Sequence, residues 1–169
     1  CGLIEQLGEQ VLRKACRDAC SWPASIKVAV NLSPRQFYSG HLVETILTVL
    51  EETGLPAERL QLEVTENLVI QNAHEAFAQL QQLRDIGIRI SIDDFGIGYS
   101  SLSYFQRFTF DTVKIDKSFV SEIEGSQAAK AIVTAVVGLA RQLSMAVVAE
   151  GVETAEQQKM LEDLGCTHL

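Results

Sequence analysis

The sequence predicts an α/β protein whose parallel strands and helices form most of a (β/α)8 barrel, with about five β-α units covered. Five short segments of alternating polarity are separated by segments with helical spacing, and this order implies a parallel sheet. Length alone does not separate a barrel from an open doubly wound sheet. The strand faces favour the barrel, because an open sheet with helices on both sides needs two apolar faces, and here four of the five strands have one distinctly polar face.

The first half of the chain is read from apolar spacing and from the residues that end helices. Pro23 ends the first helix, Ser33-Pro34 marks a turn or a helix start, and Gly54 and Gly87 close the next two helices. The predicted helices cover residues 3–20, 41–53 and 75–86, and the predicted strands cover residues 26–31, 60–66 and 88–93.

The second half continues the alternation. Two adjacent carboxylates end the strand at 88–93, and a glycine-rich turn follows them at Phe95-Gly96-Ile97-Gly98. Beyond that turn the sequence predicts helices at 100–107, 127–143 and 154–164, and strands at 112–116 and 145–150.

Composition indicates a folded domain and excludes several classes. The 169 residues are 47% hydrophobic, which argues against disorder, and no apolar stretch is long enough to span a membrane. The net charge of −8, with no cluster of lysine and arginine, argues against binding of a nucleic-acid polymer. The four cysteines form no Cys-x-x-Cys pair, so we interpret them as reduced thiols and expect a cytoplasmic location, with any membrane anchor elsewhere in a longer parent.

The polar strand faces carry a set of candidate functional residues. Side chains alternate between the two faces of a strand, so the polar residues of each strand lie on one face. The candidate residues also lie near the carboxyl ends of their strands. Parallel barrels carry their chemistry at those ends. The residues delivered in this way are Asn31, Glu63, Asp93, Lys114, Asp116 and Glu150.

Oxygen atoms dominate this set, which predicts a site for a hard divalent cation. Asn31, Glu63, Asp93 and Asp94 offer only oxygen ligands, the type that Mg²⁺ and Mn²⁺ prefer. Two such ions about 3.5–4 Å apart bind a phosphodiester and activate a water. Lys114 would stabilise charge on the phosphate or orient the water. From the residues alone, the interpretation stops at a metal-dependent barrel enzyme acting on a phosphate or an enolisable acid.

Several flanking residues have two interpretations. Asp94 is out of phase with Asp93, but at a strand end the backbone can turn its side chain inward. Glu66 would cap the next turn or hold the loop that follows Asp94. Glu153 is either part of the site or a helix N-terminal acid. Gly96 and Gly98 allow a mobile loop.

Five motifs in order resemble the EAL domains, bacterial phosphodiesterases for cyclic di-GMP. The resemblance runs essentially from end to end. The motifs are Asn31-Leu32-Ser33-Pro34-Arg35-Gln36-Phe37, Leu62-Glu63-Val64-Thr65-Glu66, Asp93-Asp94-Phe95-Gly96, Lys114-Ile115-Asp116 and Ala149-Glu150-Gly151-Val152-Glu153-Thr154.

The resemblance implies a modified TIM barrel, two Mg²⁺ or Mn²⁺ ions and hydrolysis of one phosphodiester bond to give linear pGpG. It also implies roles residue by residue. The implied metal ligands are Asn31, Glu63 and Asp93, with Asp94 and Glu150 at the second metal. Lys114 would contact the nucleophilic water or the phosphate, Asp116 would support it, and catalysis would rest on Lys114, Glu150 and Asp116. The implied substrate contacts are Ser33, Pro34, Arg35 and Glu153, while Glu66, Phe95, Gly96 and Gly98 would form a regulatory loop region.

The resemblance also shows departures. The Glu-Ala-Leu strand and the closing Gln-Gly-Tyr motif are absent, so we interpret residues 1–169 as one EAL-type barrel domain truncated at both ends. Ile97 stands where the family usually has Thr. We therefore expect weak metal binding and little hydrolysis from the fragment, and an active parent.

Two alternatives to the enzyme remain open at this point. Degenerate EAL domains act as cyclic di-GMP receptors without cutting, although they usually lose metal ligands that this chain keeps. The chain could also be an interaction module in a larger sensor. The expected partners are cyclic di-GMP, a second copy of the domain in a homodimer, and GGDEF or sensor domains in the parent.

Overall fold

The computed structural model describes residues 3–71, 73–96, 105 and 107–168. The predictions for Ile97, for Gly98 and for most of the helix at 100–107 lie outside these residues. The α-helices are α1 Leu3–Ala19, α2 Pro34–Phe37, α3 Leu42–Thr53, α4 Glu66–Gln71, α5 Ala73–Asp85, α6 Lys117–Glu122, α7 Gln127–Gln142 and α8 Ala155–Leu164, with a 3-10 turn at Ala57–Arg59. The strands are β1 Val28–Asn31, β2 Leu60–Thr65, β3 Arg89–Phe95, β4 Thr112–Ile115 and β5 Ala146–Ala149.

The strand order within the five-stranded sheet is the chain order, β1 to β5. β1 pairs with β2, β3 with β4, and β4 with β5, each in parallel. A doubly wound sheet reverses its strand order at a switch point, and this sheet has no reversal. The predicted α/β class with parallel strands is therefore confirmed, and the sequential order is that of a barrel.

All five predicted strands are present, with shifted ends. β3 continues through Asp94 and Phe95 instead of stopping at Asp93, so the carboxylate pair lies within the strand. β2 ends at Thr65, and Glu66 begins α4, a helix that was not predicted. α6 was not predicted either, although Asp116 directly before that helix is a typical N-cap residue.

Two compact units divide the chain: Cys1–Val64 with Leu68–Ile90, and Thr65–Asn67 with Ser91–Leu169. In the first unit, α1 packs on α3 and β1 through an apolar face that buries Leu12, Cys16 and Ala19. α1 is strongly amphipathic, and this periodicity explains why the sequence predicted it within one residue.

The Arg59 side chain hydrogen-bonds to the connection between α1 and β1 in this unit. Its side chain is 9% exposed, and the guanidinium donates from Nε to the Ile26 carbonyl oxygen at 2.9 Å and from Nη2 to that of Ala19 at 2.8 Å. Two further carbonyl oxygens, of Pro23 and Trp22, lie at 3.2 and 3.5 Å from Nη2. One side chain thus donates to carbonyl groups along the irregular connection from α1 to β1. Two of these oxygens also accept a backbone N–H, Ala19 from Trp22 at 3.0 Å and Pro23 from Ile26 at 2.9 Å.

In the second unit, β4 and β5 pair over their whole length and α7 packs against both. Val133, Val137 and Ala140 are buried on one face of α7. After α8, Thr167 and His168 return to β5, where the His168 carbonyl oxygen accepts the Ala149 N–H at 3.1 Å. Among the described residues, no helix is long and apolar enough to cross a membrane.

The three described cysteines are free thiols, and their surroundings predict unequal reactivity. Burial raises the pKa of Cys16 and of Cys166 to about 11, whereas Cys20 is exposed. The thiolate is the reactive form, and its fraction rises only as the pH approaches the pKa. We expect iodoacetamide at pH 8 to modify Cys20 at least about tenfold faster than Cys16 or Cys166, as mapped by peptide mass spectrometry. Equal rates in the folded protein would contradict this prediction.

Candidate active site

A β-bulge in β3 places two carboxylates opposite one lysine. Ile92 pairs with Val113 and Phe95 pairs with Ile115, so Asp93 and Asp94 together oppose Lys114. Asp94 has a φ of 55°, in the left-handed region that Asp tolerates better than most residues, and its N–H donates to Asp93 Oδ1 at 3.0 Å. In a regular strand, neighbouring side chains lie on opposite faces. The bulge therefore lets Asp93 and Asp94, although neighbours, occupy the same region of the sheet.

Lys114 forms ion pairs with carboxylates from both neighbouring strands. Its Nζ lies 2.5 Å from Glu150 Oε1 and 3.3 Å from Asp93 Oδ1. The exposed fractions of the three side chains are 11% for Lys114, 13% for Asp93 and 36% for Glu150. The parallel register produces this arrangement, since β4 lies between β3 and β5, and the Glu150 N–H donates to the Ile115 carbonyl oxygen at 3.1 Å.

Negative charge exceeds positive charge around Asp94. Partial desolvation, followed by the charges of Asp93, Asp116 and Glu150, raises the pKa of the Asp94 carboxyl, and Lys114 only partly offsets them. A divalent cation would relieve this repulsion, and carboxylate oxygens are the donors that Mg²⁺ and Mn²⁺ prefer. The residues of this unit therefore fit a hard divalent cation.

Among the described residues, a lysine balances part of the negative charge of the carboxylate cluster. In that part of the chain no three Asp, Glu, His or Cys side chains lie close enough together to hold an ion. The Lys114 ammonium is instead the cation between Asp93 and Glu150.

Asp116 lies one residue beyond β4 and caps α6. Its Oδ1 accepts the Ser118 N–H at 2.8 Å. Hydrogen bonding with the Ser118 side chain lowers the pKa of the Asp116 carboxyl most, and this backbone hydrogen bond lowers it further. Asp116 therefore stays ionised close to Asp94, whose pKa it helps to raise.

Glu66 and Gly96 are joined although they are 30 residues apart. Glu66 is 2% exposed, and its Oε2 accepts the Gly96 N–H at 3.4 Å. Gly96 has a φ of 97°, and a Cβ there would lie 3.1 Å from a ring carbon of Phe119. Phe95 is buried and packs edge-to-face with Phe105, with ring centroids 5.7 Å apart. Glu66 thus contacts the backbone directly after the carboxylate pair, one of the two positions that the sequence suggested.

Asn31 and Glu63 belong to the first unit, where they are direct register partners; Asn31 is the last residue of β1 and Glu63 lies two residues before the end of β2. The Glu63 side chain is buried, Asn31 is exposed, and the Glu63 carbonyl oxygen accepts the Leu32 N–H at 2.9 Å. The two residues therefore lie at the same level on adjacent strands.

The predicted substrate contacts of this unit surround a short helix. Ser33 caps α2 through a capping box with Gln36, Pro34 is the first residue of α2, and Arg35 is exposed. The motif Ser-Pro-Arg-Gln thus has a local structural role, which leaves the Arg35 guanidinium accessible to solvent.

Two polar residues near the site were missed. Gln157 is buried, and its Oε1 accepts the N–H groups of Glu153 and Thr154 at 2.8 and 3.1 Å. The spacing Thr-x-x-Gln after a strand is a capping-box signal and could have revealed it. Ser91, two residues before Asp93, is fully buried, and its hydroxyl has no hydrogen-bond partner among the described residues. No sequence signal identifies that hydroxyl.

The EAL domain family matches residues 1–169, which is the whole chain. The chain belongs to the EAL domain family. A signalling protein from Caulobacter vibrioides, itself uncharacterized, is 49% identical over 168 residues, covering 99% of this chain and 21% of that relative. The bifunctional diguanylate cyclase/cyclic di-GMP phosphodiesterase MucR of Pseudomonas aeruginosa is 44% identical over 172 residues, covering 99% of this chain and 25% of MucR.

Solved EAL structures share the fold. The PaMucR phosphodiesterase in its c-di-GMP complex superposes with a TM-score of 0.93 at 44% identity, covering 98% of this chain and 68% of that one. A Klebsiella pneumoniae complex with manganese and cy-diGMP gives a TM-score of 0.82 at 34% identity, covering 96% and 42% of the two chains. This EAL chain thus spans about a fifth to a quarter of the length of these curated relatives.

Proposed function

We propose that the protein containing this EAL chain hydrolyses cyclic di-GMP to linear pGpG with the help of divalent metal ions. The observation that carries the proposal is the cluster of Lys114 with Asp93 and Glu150 on neighbouring strand ends, next to Asp94. Relatives named as cyclic di-GMP phosphodiesterases and solved complexes with this nucleotide and manganese support the substrate and the kind of metal.

In this reaction water adds to one phosphorus atom, the bond from phosphorus to the 3′ oxygen breaks, and that oxygen takes up a proton. Metal ions, when bound, would neutralise the phosphate and lower the pKa of the attacking water. Asp93, Asp94 and Glu150 are the carboxylates of this cluster and would supply oxygen ligands to the metal, coming closer together than they lie here. Lys114 supplies a positive charge that is fixed by two ion pairs, and a preoriented charge stabilises the phosphorane-like transition state without reorganisation.

The remaining roles are predictions that the family resemblance supports. Asn31 and Glu63 are proposed metal ligands, and Asp116 is proposed to support Lys114 through its fixed negative charge. Ser33, Pro34, Arg35 and Glu153 are proposed substrate contacts, with Gly98 in the regulatory loop. A homodimer, an adjoining GGDEF or sensor domain, a cytoplasmic location and the assignment of residues 1–169 to one barrel domain likewise stay predictions.

The test uses the purified protein that contains this chain. It is incubated with cyclic di-GMP and Mn²⁺ or Mg²⁺, and linear pGpG is measured by liquid chromatography with mass detection. We expect product with either ion and none after chelation by EDTA. Tight nucleotide binding without product would favour the receptor alternative, and neither binding nor product would overturn the proposal.

A further inference from the structure

Gly151 directly follows Glu150 and occupies a position that no side chain fits. Its φ is 72°, in the left-handed region. A Cβ built on Gly151 would lie 2.7 Å from Lys117 Cβ and 3.5 Å from Lys117 Cα. The obstacle is thus the near end of a side chain attached to a helix, not the far end of a flexible one.

This close approach joins the two turns that carry the ion pair. The turn after β4 connects the strand that carries Lys114 to Lys117, the first residue of α6, and the turn after β5 contains Glu150 and Gly151. The Glu150 N–H donates to the Ile115 carbonyl oxygen at 3.1 Å, so backbone contacts hold the turns together on both sides of Glu150. In this arrangement Lys114 Nζ lies 2.5 Å from Glu150 Oε1.

The far side of the second turn is also anchored. Gln157 accepts two backbone N–H groups of the turn, and the Thr154 hydroxyl donates to Glu124 Oε1 at 2.8 Å. The turn therefore cannot absorb an added side chain by moving freely away from Lys117. A displacement would be transmitted to its first residue, Glu150.

We propose that Gly151 is a positioning residue: its lack of a side chain lets the turn after β5 lie against Lys117 and thereby sets the distance from Glu150 to Lys114. The catalytic consequence rests on the proposed function, whereas the effect on the distance does not.

The test is the variant Gly151→Ala in the full protein, with Gly54→Ala as the matched control. Gly54 has nearly the same φ, 73°, but a Cβ there has nothing within 4 Å. A displacement of about 1 Å at a catalytic group costs on the order of 100-fold in rate. We expect Gly151→Ala to lower kcat by roughly 10- to 100-fold with an almost unchanged Kd for cyclic di-GMP, and Gly54→Ala to leave kcat unchanged.

A second substitution that restores kcat would distinguish a positioning role of Gly151 from a general structural defect. Lys117 is exposed, so Lys117→Gly removes the obstructing Cβ with little loss of packing. The double variant Gly151→Ala/Lys117→Gly is expected to recover most of the lost kcat, while Lys117→Gly alone stays near the parent value. A Gly151→Ala variant with full kcat, or a double variant as impaired as the single one, would overturn the proposal.

A crystal structure of Gly151→Ala decides the case even if the parent shows no hydrolysis. The expected Lys114 Nζ to Glu150 Oε1 separation is about 1 Å longer than the 2.5 Å seen here. An unchanged separation would overturn the positioning role, whereas an inactive parent with a lengthened separation would contradict only the proposed function.

Discussion

Replacing Glu150 by Gln is expected to abolish turnover of cyclic di-GMP while nucleotide binding changes little. The substitution keeps the size of the side chain and removes the charge that pairs with Lys114 at 2.5 Å. It also removes an anionic oxygen from the proposed metal ligands. Loss of one such fixed charge costs on the order of 10³-fold in kcat, because its effect is larger in the transition state than in the ground state. The measurement is a steady-state kcat for pGpG formation, paired with a calorimetric Kd.

Glu156→Gln provides the control for this substitution. Glu156 is exposed in the first turn of α8, six residues away along the chain. Its replacement by Gln makes the same chemical change outside the cluster. The control should keep the parent's kcat and Kd. A Glu150→Gln protein that turns over at the parent's rate would remove Glu150 from the mechanism.

Replacing Arg59 by Met is expected to lower the free energy of unfolding more than the other single substitutions named above. Met fills much of the same volume but donates no hydrogen bond, so the Ile26 carbonyl group loses the Arg59 donor and the Ala19 carbonyl group keeps only the Trp22 N–H at 3.0 Å. Hydrogen bonds to a charged group contribute about 1.5–3 kcal/mol each, and water replaces part of this at the less buried carbonyls. We expect the free energy of unfolding to fall by about 3 kcal/mol, measured by urea denaturation.

Hydrogen exchange would locate the effect of Arg59→Met. Faster exchange should be confined at first to the connection between α1 and β1, since Arg59 contacts it at four carbonyl oxygens. Arg17→Met, at an exposed position of α1, is the control and should change stability by less than about 0.5 kcal/mol. An Arg59→Met protein as stable as this control would show that water satisfies those carbonyl groups equally well.

The regular parts of the site were predictable from periodicity. Strand phase alone placed Asp93, Lys114 and Glu150 on one polar face, and the structure brings these three side chains into ion-pair contact. Phase could not predict the bulge, because a positive φ at Asp94 depends on local backbone strain and not on the alternation of residue types.

The features that the sequence left open are short elements and contacts with the backbone. α6 is a helix of six residues, and its length is too short for apolar spacing to reveal. The Glu66 contact with Gly96 joins residues 30 positions apart, so only the fold defines it. Gln157 and Gly151 act on the backbone, where a sequence shows a residue type but not the neighbour that requires it.

The bulge in β3 also has a consequence for how such a site is gained or lost in evolution. Asp94 is the extra residue of its strand, so it adds a carboxylate without needing a further strand to carry it. Deleting that single codon would return β3 to regular pairing with β4 and leave a folded sheet with one acidic group fewer. A site built in this way lies one in-frame deletion from a protein that keeps its architecture and loses one of its clustered carboxylates.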